Sequence, residues 1–290
     1  MTDEARLFSD RDSLCRDAAH ELLRILADAV RDRGAASAVL TGGGTGTGIL
    51  TALSDLVSAA SDASGSLDSP GGLRGPDVRM PDWSRVHLWW GDERFLPAGD
   101  PDRNEQQAEE ALLRGLVTLH GMPSANIHRM PAADGAAGAG AMPADAQMTG
   151  SIMTAAEAYA SELAGHARVD PGPDGRLPVF DVVMLGVGPD AHVASLFPGL
   201  PGPLTRGETV IAVEDSPKPP PWRLSLTVEA LNTAERLWFV VAGADKAEAV
   251  AAVRRARDDE TTDAARWPAS VVSGRHATLW WLDGAAAGQD

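Results

Sequence analysis

FDVVMLGVGPDAHVASLFPG, residues 180–199, is the stretch on which the reading of the whole chain turns. Its apolar run ends at Gly186 and Gly188, and His192 follows four residues after the second glycine. A short apolar run stopped by glycines reads as a buried strand. The polar stretch after it then lies at the carboxyl end of a sheet, where open α/β sheets bind their ligands. Histidine is the side chain whose ordinary pKa lets it take a proton near neutral pH. The segment points to a general base beside a small-molecule site, against the alternative of a hydrogen-bonded core histidine.

Outward from this segment, strands and helices alternate. Leu14, Ala18, Leu22, Ile25, Leu26 and Val30 recur at helical spacing, which predicts an amphipathic helix over residues 11–33. A strand at 36–40 runs into the turn TGGGTGTG, residues 41–48, and a helix over about 49–60. Further strands are expected at 85–90, 126–130, 179–186, 209–213, 222–227, 236–241 and 277–282. Helices are expected at 104–119, 151–167 and 245–255. Residues 61–83, rich in Ser, Gly, Asp and Pro, and residues 132–150, low in complexity, read as surface loops, the second a mobile one. No repeat or domain boundary interrupts the pattern. The expectation is one α/β domain over residues 1–290, a mainly parallel sheet covered by helices on both faces.

Composition narrows the functional classes. A hydrophobic content of 44% supports a sizeable core, and no apolar run approaches the length of a membrane span. The charged start MTDEARLFSDRDS lacks the apolar stretch of a secretory signal. Cys15 is the only cysteine, which excludes an internal disulfide and a cysteine-held zinc and fits a reducing cytoplasm. A net charge of −16 disfavours nucleic acid and anionic membranes as partners. Among 25 Lys and Arg residues only Lys218 and Lys246 are lysines. The histidines other than His192 are scattered along the chain without ligand spacing, so no metal site is expected.

Three further constellations carry possible chemistry. A glycine-rich strand-to-helix turn over Gly42, Gly43, Gly44 and Thr45 offers backbone N–H groups and a helix N-terminus to an anion, or serves as a plain tight turn. In WWGDERF, Asp92 and Arg94 follow a strand directly and suit a substrate hydroxyl or a histidine and an anion, respectively; the alternative is a solvated charge cluster. Lys218 and Arg223 sit in the proline-stiffened SPKPPPWR, and Lys246 opens a helix after Ala242 and Gly243. Either lysine, taken alone, is equally well a surface residue.

Taken in register, these segments resemble the 6-phosphogluconolactonase family, within the wider sugar-phosphate isomerase and deaminase-like group. TGGGT resembles its phosphate turn, VHLWWGDERFLPAGDPDRN its WGDER segment, and residues 180–199 its signature around the catalytic histidine. SPKPPPWRLSLTVEALN, VVAGADKAEAV and the closing WPASVVSG and WWLDGAAA extend the likeness over most of the chain. The resemblance implies a modified Rossmann-like fold of the sugar-phosphate isomerase type. It also implies hydrolysis of 6-phospho-D-glucono-1,5-lactone to 6-phosphogluconate in the oxidative pentose phosphate pathway.

On that reading His192 accepts a proton from water and returns it to the departing ring oxygen, a kind of help worth about 10²–10⁴-fold. Arg94 or N–H groups near Gly188 would stabilise the oxyanion. Asp92 would orient the sugar or His192, and the phosphate would rest on Gly42, Gly43, Gly44 and Thr45 with Lys246 and Lys218 or Arg223. No metal or organic cofactor is implied. The partner is a small phosphorylated sugar lactone, and the chain is expected to be a monomer or weak homo-oligomer.

Three positions depart from the family pattern. Ala191 stands where glycine usually precedes the histidine; a positive φ there would cost alanine roughly 1–2 kcal/mol. Gly46 replaces a proline, which is expected to loosen the turn, and Val193 replaces a common threonine. The competing readings are a glucosamine-6-phosphate deaminase-like isomerase and a non-catalytic sugar-phosphate sensor. The first typically carries DEY and an acidic residue soon after the histidine, where this chain has Asp92-Glu93-Arg94 and Leu196-Phe197-Pro198. A sensor would normally carry a DNA-binding or oligomerisation module, and no basic helix-turn-helix segment is visible.

Overall fold

The computed structural model of the chain describes residues 2–65, 79–133, 145–167 and 177–289. The amino-terminal half comprises β1 (Thr2–Phe8), α1 (Arg11–Arg33), β2 (Ala36–Leu40), α2 (Gly43–Gly65), β3 (Val86–Trp90) and β4 (Asp92–Arg94). Then α3 (Asn104–Ala108), a π-helical turn at Glu109–Leu113 and α4 (Arg114–Leu119) run on from one another, and α5 (Asp145–Gly165) follows. The remainder holds β5 (Val182–Leu185), β6 (Val210–Val213), β7 (Arg223–Leu226), α6 (Val228–Leu231), β8 (Arg236–Val241), α7 (Ala247–Asp258) and β9 (Ala277–Asp283). No helix among the described residues is long and apolar enough to cross a membrane.

Six strands form one sheet in the order β1-β9-β8-β5-β2-β3, parallel throughout and flanked by helices. Helix α1 shows how local sequence builds this layer. Asp10 and Ser13 form a reciprocal capping box at its start, and Gly34 ends it in the left-handed region. Its face of Leu14, Ala18, Leu22, Ile25 and Leu26 is buried. The sheet's own apolar runs are buried too, with Phe239 stacked on Trp280 at 4.1 Å and Trp238 packed 4.9 Å from Trp281.

Several sequence expectations need correction. The charged segment Thr2–Phe8, to which the sequence reading assigned no element, is a strand pairing in parallel with β9 at the sheet's edge. The strands expected near 209–213 and 222–227 do not join the parallel sheet. As β6 and β7 they pair antiparallel with each other, and β7 pairs antiparallel with the short β4, in a second sheet of order β4-β7-β6. Residues 126–130 make no strand; a 3₁₀ turn at Ser124–Asn126 is followed by a single bridge from Ile127 to Leu88. Helix α2 starts at Gly43, well before residue 49, because first-turn N–H groups need no helical partner and tolerate glycine there. It also runs to Gly65, and α5 begins at Asp145, so both expected loops are shorter than 61–83 and 132–150. Residues 66–78 and 134–144 of those loops lie outside the described residues.

The histidines are not all scattered. His87 on β3, His128 just past the bridge and His166 just past α5 come together, their ligand nitrogens all within 4.8 Å of one another. Burial, reinforced by the neighbouring rings, holds His87 and His128 down at about 4.

Strand β3 is an edge, met there by the Ile127–His128 segment and by Tyr159 of α5. The Trp90 N–H donates to the Tyr159 hydroxyl at 3.0 Å, and that hydroxyl lies within 3.3 Å of the His128 carbonyl. Tyr159 is fully buried, and burial pushes its hydroxyl far above the ordinary tyrosine value. Tyr159→Phe therefore leaves a buried amide N–H unpaired. Urea unfolding of that variant is expected to show a loss of about 1–3 kcal/mol; unchanged stability would mean that the Trp90 amide finds another partner.

Candidate active site

Strands β2 and β5 are neighbours, with Ala38 opposite Val182 and Val39 opposite Val183. The loops leaving their carboxyl ends are therefore side by side, and the end of β8 adjoins them. An open pocket of about 380 Å³ lies there. Its walls include the glycine turn from Thr41 to Gly46, the Gly186–Gly188 strand end with His192, and Ala242 and Lys246 after β8. Asp92, Arg94, Asn104, Lys218 and Arg223 complete it. Every site residue proposed from the sequence borders this one space, although the sequence separates the first from the last by some two hundred positions.

The histidine loop is unusually tight. The Gly188 N–H donates to the His192 carbonyl, and the Ala191 N–H donates back to the Gly188 carbonyl, both at 2.9 Å. The imidazole lies directly on Gly188: a Cβ there would stand 2.0 Å from the ring's Nδ1. Only glycine fits that approach. Ala191 takes φ +64° and Ala194 φ +49°, so the alanine before the histidine does occupy left-handed backbone. Its carbonyl accepts from Ala269 N–H, which ties the loop to the segment before β9.

The group that orients His192 is Asp190, through a short hydrogen bond from Nδ1 to Oδ1. Asp92, expected to orient either the sugar or the histidine, makes no such contact; its carboxylate accepts from the Ser195 hydroxyl at 2.7 Å. Burial works to raise the Asp190 carboxyl, but the His192 hydrogen bond and charge, with Lys218 nearby, hold it at about 2. An ionised carboxylate only accepts, so the Nδ1 of neutral His192 carries the proton and Nε2 carries the lone pair. His192 is 15% exposed at its side chain, enough for a ligand to reach it. The Gly188 N–H, considered from sequence as an oxyanion donor, is spent inside the loop.

The DER tripeptide is a scaffold, not a solvated cluster. Glu93 is fully buried and accepts from the backbone N–H groups of Arg94, Asn104 and Glu105 at 2.7–2.9 Å. Burial pushes its carboxyl up to about 7, against the pull of Arg103 and these amides. One carboxylate thus joins β4 to the start of α3. Behind it Arg103, also fully buried, bonds Glu105 and the carbonyls of Arg94, Leu96 and Met130. Two pocket residues are fixed by this frame. Arg94 donates through Nη1 to the Asp102 carbonyl, while its buried Nε has no hydrogen-bond partner among the described residues. Asn104 donates to the Asp92 carbonyl, and its amide is packed so closely on Gly42 that a Cβ there would stand 1.9 Å from Oδ1.

The glycine turn is closely packed at Gly46. A Cβ at Gly46 would stand 2.3 Å from the Thr41 carbonyl oxygen, so the backbone itself makes the close approach. The N-terminus of the 23-residue α2 therefore faces the pocket with its first-turn N–H groups. The cations Lys218, Arg223 and Lys246 border the same pocket. Arg223 is buried, holds the Lys218, Pro219 and Pro220 carbonyls, and is pushed down by burial. Lys218 is pushed down by burial and by Lys246 and Arg223, with Asp190 opposing. Lys246 pairs with Asp245 at 2.7 Å.

Sequence reasoning marked Asn104 only as the Asn that follows the WGDER segment, without a role in the site, and missed Asp190 and Ser195. Asp190 was findable, because an Asp two residues before a loop histidine is within reach of its ring. Ser195 and Asn104 meet Asp92 only through the fold.

The family model for glucosamine-6-phosphate isomerases/6-phosphogluconolactonase matches residues 9–281. A 6-phosphogluconolactonase of Streptomyces coelicolor is 43% identical over 100% of this chain and 96% of its own length. One of Mycobacterium tuberculosis is 38% identical over 99% of this chain and 98% of its own. The crystal structure of 6-phosphogluconolactonase from Trypanosoma brucei superposes with a TM-score of 0.74 at 23% identity, covering 99% of this chain and 98% of that one.

Left-handed alanine costs about 1–2 kcal/mol, and the buried Ala191 methyl recovers part of that. Ala191→Gly is expected to raise stability by up to about 1 kcal/mol in denaturant unfolding. A clear loss of stability would mean that the methyl's packing outweighs the strain.

Proposed function

The chain belongs to the glucosamine-6-phosphate isomerase/6-phosphogluconolactonase family, and on that footing we propose that it hydrolyses 6-phospho-D-glucono-1,5-lactone to 6-phosphogluconate, with His192 as general base. The observation that carries this reading is the pairing of Asp190 with His192 in the same pocket as the glycine turn and its cations. A phosphorylated ester with one reacting carbonyl needs both an anion cradle and a proton acceptor. The pocket supplies them on different walls.

Phosphate binds at the first turn of α2, on Gly43, Gly44 and Thr45, with Lys246 and Lys218 balancing its charge. This places the lactone ring toward Gly188. Water attacks C1 as Nε2 of His192 takes its proton; Asp190, ionised throughout the neutral range, stabilises the imidazolium that forms. The Arg94 guanidinium, which lines the pocket, is the donor suited to the developing oxyanion. Collapse breaks the bond from C1 to the ring oxygen, which receives the proton from His192. Acid and hydroxyl result, and the imidazole is neutral again. Asp92, braced by Ser195 and lining the pocket, faces the sugar hydroxyls and not the base.

The test follows lactone disappearance against its spontaneous hydrolysis. The wild-type chain is expected to exceed buffer, and His192→Ala to lose about 10²–10⁴-fold in kcat. A wild type no faster than buffer would reject the enzyme, and equal rates for the two proteins would reject the base. Release of ammonia from an amino-sugar phosphate without lactone hydrolysis would favour the deaminase branch instead. Asp190→Asn separates orientation from charge. Its kcat/KM is expected to fall, with the acid limb of the profile moved to lower pH, because a neutral partner no longer favours the imidazolium. An unmoved acid limb would mean that Asp190 does not act on His192.

A further inference from the structure

The trio of histidines at the edge of the parallel sheet has no part in the catalytic pocket, and none of the three borders it. We propose that His87, His128 and His166 bind a divalent transition-metal ion of the zinc, nickel or copper class at a second, separate site.

The geometry is that of a nearly assembled three-nitrogen site. Nδ1 of His87 and Nε2 of His128 are 2.9 Å apart. Two nitrogens bound to one tetrahedral zinc at 2.0–2.1 Å lie about 3.3 Å from each other. The pair thus needs to open by only a few tenths of an ångström. All three ligand atoms lie within 4.8 Å of one another. His166 is exposed at the end of its helix, so it is the ring with room to rotate inward. Its exposure leaves a fourth position open to solvent.

The surroundings favour binding. Nδ1 of His128 lies 2.7 Å from the Glu162 carboxylate, an arrangement that fixes the tautomer and turns the Nε2 lone pair toward His87. Trp89 stacks on the same ring at 3.7 Å and holds its plane. Without metal, His87 supplies the proton of the His87–His128 hydrogen bond; shifting that proton to its Nε2 frees Nδ1 to ligate. Imidazole nitrogen suits borderline divalent ions, whereas magnesium and calcium demand oxygen. The bound ion would join strand β3, the segment after the Ile127 bridge and the end of α5. Such a cross-link stabilises the folded chain.

The experiment uses the untagged full chain, freed of metal by chelator and dialysed against zinc chloride, with cobalt(II) as a spectroscopic substitute. One zinc per chain is expected, together with the visible absorption of tetrahedral cobalt(II) and a higher Tm in zinc. His166→Ala removes an exposed ring, so its metal-free folding should match wild type. It is expected to weaken zinc binding at least tenfold, abolish the Tm rise and leave lactone hydrolysis unchanged. Glu162→Ala should weaken binding about 10–100-fold. His192→Ala should retain the full equivalent. Absence of zinc binding at micromolar concentration, binding undiminished in His166→Ala, or an equivalent lost in His192→Ala would each overturn the proposal. The outcome is independent of the catalytic reading, because stoichiometry and Tm do not require activity.

Discussion

The parallel pairing of β2 with β5 is the interaction on which the site depends. Two matched positions, Ala38 with Val182 and Val39 with Val183, bring the glycine turn and the histidine loop to neighbouring points on one edge. On one side of this pair the sheet continues to β3, and on the other to β8. The pocket lies where the order diverges, as expected for an open α/β sheet. The glycine turn and the histidine loop are thus positioned by backbone hydrogen bonds deep in the core.

Around that pairing, buried charge supplies the rigidity. Glu93 and Arg103 have essentially no exposure, yet neither is positioned to react with a ligand. Their hydrogen bonds lock β4 to α3 so that Asp92, Arg94 and Asn104 present fixed groups to the pocket. Breaking one member of such a network strands the charge of the other, which makes the frame costly to deform. The strain at Ala191 is tolerated for a related reason. Hydrogen bonds to Gly188 and from Ala269 over-determine its backbone, and the histidine loop keeps its turn without glycine.

Much of this was legible in the sequence. Alternating strands and helices gave the parallel sheet, and glycines at strand ends marked its ligand edge. Many of the residues that line the pocket carried a local signal: a glycine run, a DER tripeptide, lysines scarce enough to stand out. What the sequence concealed was long-range pairing. A charged strand such as Thr2–Phe8 looks like a tail until β9 provides its ladder. Three short strands fold into a second sheet because β4 meets β7 across more than a hundred residues. In the sequence Glu93 is indistinguishable from Asp92 and Arg94 beside it, until α3 offers its amides. The three clustered histidines have no spacing in common, since a strand, a bridge and a helix end bring them together.

The central claim is a division of labour across one pocket, phosphate on α2 and proton transfer on the β5 loop. A crystal structure of the chain with 6-phosphogluconate bound tests it most directly. The account predicts phosphate oxygens on the amides of Gly43 to Thr45 and a C1 carboxylate oxygen at about 2.6–3.2 Å from Nε2 of His192. Product bound in the reverse sense, with its phosphate against His192, or bound outside this pocket, would contradict it.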